Sequence, residues 1–99
     1  MAFAIITFDK PDHAHVRDQY RAAHYEFLQQ HQAQLIASGG LQDDAGEQMC
    51  GGLILLDVET VEQAWDFVRT DPFTTAALFA RVEVVRWKKA FFDGRRINA

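Results

Sequence analysis

The chain reads as an α+β domain with the element order βαββαβ, and three observations predict it. A β-rich run opens the sequence, a continuous apolar run lies near its middle, and each is followed by a stretch whose apolar residues recur at three- and four-residue steps. In that order the elements make a split βαβ arrangement: an antiparallel four-stranded sheet with its helices on one face.

Residues Ala2 to Phe8 are the first predicted strand, ended by Asp9-Lys10-Pro11-Asp12, whose proline and carboxylates supply turn chemistry. From about Ala14, the spacing of Val16, Tyr20, Ala23, Phe27, Leu28 and Leu35 predicts a long amphipathic helix that stops at Ser38-Gly39-Gly40, where glycine can adopt the left-handed cap. Such a helix would be roughly 35 Å long, and its overhang is expected to meet a loop or a partner subunit. Leu41 to Gln48 is weakly patterned and acidic, and reads as a short second strand and a loop. After the loop glycines Gly51-Gly52, the run Leu53 to Val58 has the length of a central strand.

Thr60 and Gln63 fit a capping box, and Val61, Ala64, Trp65 and Val68 form one stripe, so residues 61–70 are predicted as a second helix. Asp71-Pro72 then has the order of an N-cap and first helical residue for a short third helix through about Ala80. Val82 to Phe92 alternates and, after a shift near Trp87, supplies a bulged fourth strand.

With 99 residues, two prolines and no linker-like tract, one domain over 1–99 is expected. Apolar residues make up 48% of the chain and eight residues are Phe, enough to build a core, although a subunit this small gains from association. The net charge of −4 argues against nucleic acid as a partner, despite basic residues clustered between Arg81 and Arg96. Residues 41–66 hold seven acids and no Lys or Arg. The start Met1-Ala2-Phe3 lacks the basic lead and apolar core of a signal peptide, and Cys50 has no second cysteine to pair with, so the sequence reads as cytoplasmic. No apolar run approaches the roughly 20 residues of a membrane span. Cys50 reads as a packing residue. His13, His15 and His31 have no cysteine or carboxylate at ligand spacing on one predicted face, so no metal is indicated, and nothing resembles a phosphate loop or dinucleotide fingerprint, so no cofactor is implied.

The candidate chemistry centres on His24, which shares one side of the first helix with Tyr20, Phe27 and Leu28 and is expected to point inward. Arg21, three residues earlier, would offer a planar donor fork to a carboxylate or enolate oxygen at the rim of the same space. Asp71 needs no role beyond capping a short helix. Yet a carboxylate there, beside Phe73 on the chain crossing the first helix, could also accept a proton from the His24 imidazole and fix its tautomer. A lone inward histidine is more often a core residue with one satisfied hydrogen bond, so position alone does not decide between the two readings.

Taken together, Arg21-Ala-Ala-His24, the glycine pairs Gly39-Gly40 and Gly51-Gly52, Asp71-Pro72-Phe73 and the ending Trp87-Lys88-Lys89-Ala90-Phe91 resemble the YCII-related (YciI-like) family across nearly the whole chain. The resemblance implies a ferredoxin-like subunit in a dimeric α+β barrel, hence a homodimer, and a His-Asp active site that here is His24 and Asp71. Beside that pair, Arg21, Phe73 and Gly40 are the residues expected to contact a small-molecule substrate. One departure is that the family pattern has Gly-Pro at the start of strand two, where this chain has Gly40-Leu41.

Two functions fit these residues. One is a cofactor-independent lyase or isomerase that transfers a proton on a small cyclic or aromatic acidic metabolite, with His24 as acid or base, Asp71 orienting it and Arg21 holding substrate charge. The other is a non-catalytic module that binds a small molecule in the same pocket. An RNA-binding sheet is disfavoured because Leu53-Ile54-Leu55-Leu56 lacks stacking aromatics. Acylphosphatase chemistry is disfavoured because the only asparagine is Asn98, in the tail.

Overall fold

The structure, a computed structural model, describes residues 2–97; Asn98 lies outside the described residues. Strand β1 (Ala2–Asp9) leads into helix α1 (Ala14–Gln30), a 3-10 turn over Gln32–Gln34, and the hairpin of β2 (Leu35–Gln42) and β3 (Met49–Asp57). Helices α2 (Val61–Thr70) and α3 (Pro72–Thr75) follow, then β4 (Phe79–Trp87) and a two-residue ladder of β5 (Phe91–Phe92) with β6 (Arg95–Arg96). The main sheet has the order β2-β3-β1-β4, antiparallel at each junction. This is the ferredoxin-like βαββαβ arrangement expected from the pattern, with the small β5–β6 hairpin added.

The period of two along each strand divides the residues between two faces. Phe3 and Ile5 of β1 stand opposite Leu56 and Ile54 of β3. These four pack with Phe27 and Leu28 of α1 and with Ala64, Phe67 and Val68 of α2. Leu56 and Ala64 are sealed completely at 0% exposure, which places the centre of the core between β3 and α2. Among the described residues no helix lies over the other face of the sheet. Ala4 sits between Leu55 and Val85, Ile6 between Leu53 and Glu83, and Leu53 and Val85 are exposed.

The first helix is shorter than its spacing predicts. It ends at Gln30, and Leu35 begins β2 instead of extending the helix. Leu28 and Leu35 are seven residues apart and so share a helical phase, which is what misdirects the reading. The stronger demand is that the edge of β3 find hydrogen-bond partners, and residues 35–42 supply them. Strand two is therefore Leu35–Gln42 and not a short strand followed by a loop within Leu41–Gln48, and Gly39-Gly40 lie within it. Gly51-Gly52 likewise belong to β3, which starts at Met49; Gly40 pairs with Gly52 and Leu41 with Gly51. Cys50 is exposed, not packed.

The second helix has the predicted bounds and both arms of its capping box: the Gln63 N–H donates to Thr60 Oγ1 at 3.2 Å, and Gln63 Oε1 accepts from the Thr60 N–H at 3.1 Å. The third helix starts where Asp71-Pro72 predicts but ends at Thr75, not near Ala80. Its end is a Schellman motif: the Ala77 N–H donates to the Thr74 carbonyl, the Leu78 N–H to the Phe73 carbonyl, and Ala77 takes a left-handed φ of 60°. Leu78, at 0% exposure, holds that turn against the core and frees the chain to enter β4 at Phe79, earlier than the predicted Val82. The irregularity predicted near Trp87 lies at the other end of the strand, where pairing shifts between Phe8 and Asp9.

Candidate active site

Arg17, Arg21, His24 and Leu28 follow one another on α1 at steps of four, three and four, so they form a single stripe. The stripe overlies the end of the sheet where β2 and β3 carry glycines. Between them is a cavity of about 80 Å³ lined by residues of α1, β1, β2, β3, β4, α2 and the start of α3. That is well below the roughly 300–1,000 Å³ of pockets for drug-sized molecules, so a single ring is the largest group it suits.

His24 is the polar centre of the helical wall. Its Nδ1 lies 2.8 Å from Asp71 Oδ1, and the two side chains are 14% and 4% exposed. Because a carboxylate oxygen only accepts, Nδ1 carries the proton in this contact, and Nε2 of a neutral ring holds the lone pair. Among the described residues Asp71 is the one hydrogen-bond partner of this ring. One face of the imidazole stacks on Phe73, with centroids 4.1 Å apart and planes 17° from parallel. Two contacts of different kinds thus hold the ring, a hydrogen bond in its plane and an aromatic face against it.

Asp71 is placed by the helix it begins. Its Oδ1 accepts the Phe73 N–H at 2.9 Å as the α3 N-cap, and the same oxygen meets His24. Pro72 at the first helical position fixes the local backbone for this cap. Asp71 and Phe73, 3% and 2% exposed, reach the cavity through this one short segment.

Arg21 lines the same cavity, but its guanidinium Nη2 donates to Asp18 Oδ1 at 2.7 Å at an exposed position. Such an exposed pair is worth at most about 1 kcal/mol, so the fork can exchange its partner at little cost. Gly40 lines the opposite wall in β2, next to Met49: a side chain at Gly40 would meet the Met49 Sδ at 2.7 Å. All five residues singled out from the sequence, His24, Asp71, Arg21, Phe73 and Gly40, therefore border one cavity.

Sequence reasoning passed over Arg17. It donates from Nε and Nη2 to both Asp9 carboxylate oxygens at 2.8 and 3.0 Å, reaches the Gly51 carbonyl at 3.2 Å, and sits 4.8 Å from the Phe73 ring centroid. This nearly buried fork ties α1 to the ends of β1 and β3. Its signal was available, because it lies seven residues before His24 on the same stripe. Thr7 and Ser38 were also missed, and they put hydroxyl-bearing side chains among the lining residues. Among the described residues, no group of three or more His, Cys, Asp or Glu side chains is placed to hold a metal ion, and no helix is long and apolar enough to cross a membrane.

Among solved structures the chain is similar to 5-chloro-2-hydroxyhydroquinone dehydrochlorinase (TftG) from Burkholderia phenoliruptrix AC1100, in complex with 2,5-dihydroxybenzoquinone. The TM-score is 0.82 at 33% sequence identity, covering 89% of this chain and 94% of that one. No curated protein matches the chain at a significant level. The YCII-related domain matches residues 1–88, which span every strand of the main sheet and both walls of the cavity, and the chain belongs to the YCII-related family.

Proposed function

We propose that the chain is a single-domain, cofactor-independent enzyme over residues 1–99, of lyase or isomerase type, acting by proton transfer on a small acidic cyclic or aromatic metabolite. The observation that carries the reading is the 2.8 Å contact of His24 Nδ1 with Asp71 Oδ1 at the wall of a one-ring cavity. It leaves Nε2 as the working atom and uses Asp71 to hold the tautomer. The similar dehydrochlorinase, solved with a dihydroxybenzoquinone, supports a hydroxylated or quinoid ring as the substrate class.

In this reading Nε2 takes the proton of an acidic ring hydroxyl, and the electron pair left on oxygen moves into the ring. The imidazolium then returns the proton to a ring carbon, completing an isomerisation; where that carbon carries a leaving group, Nε2 next takes the proton of a second, conjugated ring hydroxyl, and the group departs with its bonding pair as the second carbonyl forms, completing an elimination. Arg21, released from Asp18, offers its fork to the negative oxygen, while Phe73 and Gly40 bound the ring. A positioned acid-base group supplies roughly 10²- to 10⁴-fold, which suits a proton that is already acidic.

The test is turnover of halogenated and plain hydroxyhydroquinones, followed by ultraviolet absorbance and chloride release. His24→Ala should lower any turnover at least ~10²-fold while keeping the native circular dichroism spectrum. Full activity in that variant would remove the acid-base role; ligand binding without turnover by the wild type would favour a binding module.

The same proposal includes a homodimer formed through the helix-free sheet face, where exposed Leu53 and Val85 flank Ile6 and Ala4. Light scattering should show a dimer for the wild type and a monomer for Leu53→Lys combined with Val85→Lys. A monomeric wild type would discard this part of the reading.

A further inference from the structure

Thr7 is 5% exposed and stands on the helix-facing side of β1, continuing the line of Phe3 and Ile5. Phe3 belongs to the core away from the cavity, Ile5 is a core residue at the cavity's apolar edge, and Thr7 borders the cavity with a polar side chain. Its hydroxyl makes no hydrogen bond with any described residue. Unlike the sealed Thr74 hydroxyl, it keeps accessible surface, and the open space beside it is the cavity, so a water or a ligand can supply the partner the protein does not. The neighbouring strand keeps the space above it open. Gly52 stands opposite Thr7, and a side chain at Gly52 would come within 3.2 Å of the Thr7 hydroxyl oxygen.

His24 hangs from the helical wall of the same cavity and Thr7 rises from its sheet wall. We propose that Thr7 is the substrate's second anchor, so that the preferred ligand is a single ring bearing oxygens at two separated positions, one meeting His24 and the other the Thr7 hydroxyl. The inference rests on the acid-base reading for the first oxygen and adds the second. A hydroxyl can donate to a ring carbonyl or accept from a ring hydroxyl, so Thr7 suits both the phenolic and the quinoid form of such a ring. The ring's edge would lie over Ile5 and Ile54, where the wall is apolar.

The experiment is a ligand-observed NMR titration of the full chain with hydroquinone, which has two ring oxygens, and phenol, which has one. The wild type should bind hydroquinone roughly tenfold more tightly than phenol, the scale of one hydrogen bond to a neutral group. Thr7→Val, which keeps the shape and removes the hydroxyl, should bring hydroquinone down to the affinity of phenol and leave phenol unchanged. Thr7→Ser should retain the preference. The melting temperature of Thr7→Val should equal or exceed that of the wild type, because the lost hydroxyl bonds nothing in the protein.

Equal binding of the two probes by the wild type, no binding of either, or a preference that survives Thr7→Val would each overturn the second anchor. So would a marked drop in the melting temperature of Thr7→Val, which would assign the hydroxyl to the fold. The acid-base reading fails separately: if His24→Ala keeps full turnover while Thr7→Val flattens the preference, the anchor stands and the proton-transfer role falls.

Discussion

Along β1 the side that faces the helices changes character within two residues. At Phe3 the neighbour across the sheet is Leu56 and the space up to α2 is filled, while Ile5 and its neighbour Ile54 pack in the core and form the cavity's apolar edge. At Thr7 the neighbour is Gly52, with Gly40 beyond it on β2, and the space is a cavity. The helices continue over both ends. The cavity exists because side chains have been withdrawn from the sheet, not because the helical layer has a gap. One end of this face should therefore suffer from lost volume and the other from added volume.

The largest effect separates two glycines at the site end. A side chain at Gly51 would land on the backbone carbonyl oxygen of Thr7, whereas one at Gly40 would meet only the mobile end of Met49. Gly51→Ala should therefore lose about 4 kcal/mol or more, or fail to fold, while Gly40→Ala should stay folded with Met49 displaced. Urea denaturation of the two variants decides it, and equal stability would mean that added volume at Gly51 is relieved by backbone movement.

At the core end, Leu56→Ala should cost about 3 kcal/mol, since it empties a fully sealed position between β3 and α2. A cost below about 1 kcal/mol would mean the core collapses into the space and the contrast between the two ends is weaker than the packing implies.

The smallest effect lies beyond the site end, in the turn joining β2 to β3. The Glu47 N–H and then the Gln48 N–H, donating to the exposed Asp43 carboxylate at 2.9 and 3.2 Å, hold its pKa below 3.8. Because the folded value lies below the unfolded one, the contribution to stability is present above the unfolded value and is lost as the pH falls through the folded value. Asp43→Asn should thus be slightly less stable than the wild type at about pH 6, and the gap should close as the pH falls below 3.8 through the lowered value. Urea midpoints across that range test it; a constant gap would show that the carboxylate's charge is not what matters.

Local chemistry made some of this legible in the sequence. The Thr60–Gln63 capping box and the Asp71-Pro72 helix start are completed within a few residues, so their signals need no knowledge of the rest of the chain. The meeting of His24 with Asp71 spans 47 positions; the residues raised it as one of two open readings, and the family resemblance made it the expected one. Residues 35–42 were misread because their role depends on β3, a distant segment that needs an edge partner. Thr7 was passed over because a threonine in a strand is unremarkable until its neighbour proves to be glycine. Arg17 became visible once Asp9 and Gly51 were brought to it.

Asp71 Oδ1 serves two partners at once, the Phe73 N–H that starts α3 and the His24 ring. This makes the histidine's surroundings modular. An engineer moving the His24–Asp71 pair to another scaffold would need to carry residues 71–78 as one cassette: the cap, the stacking phenylalanine and the Schellman turn anchored by Leu78. The recipient would have to provide only a helix with a histidine facing that cassette. Grafting the two side chains alone would leave the carboxylate without the backbone that aims it.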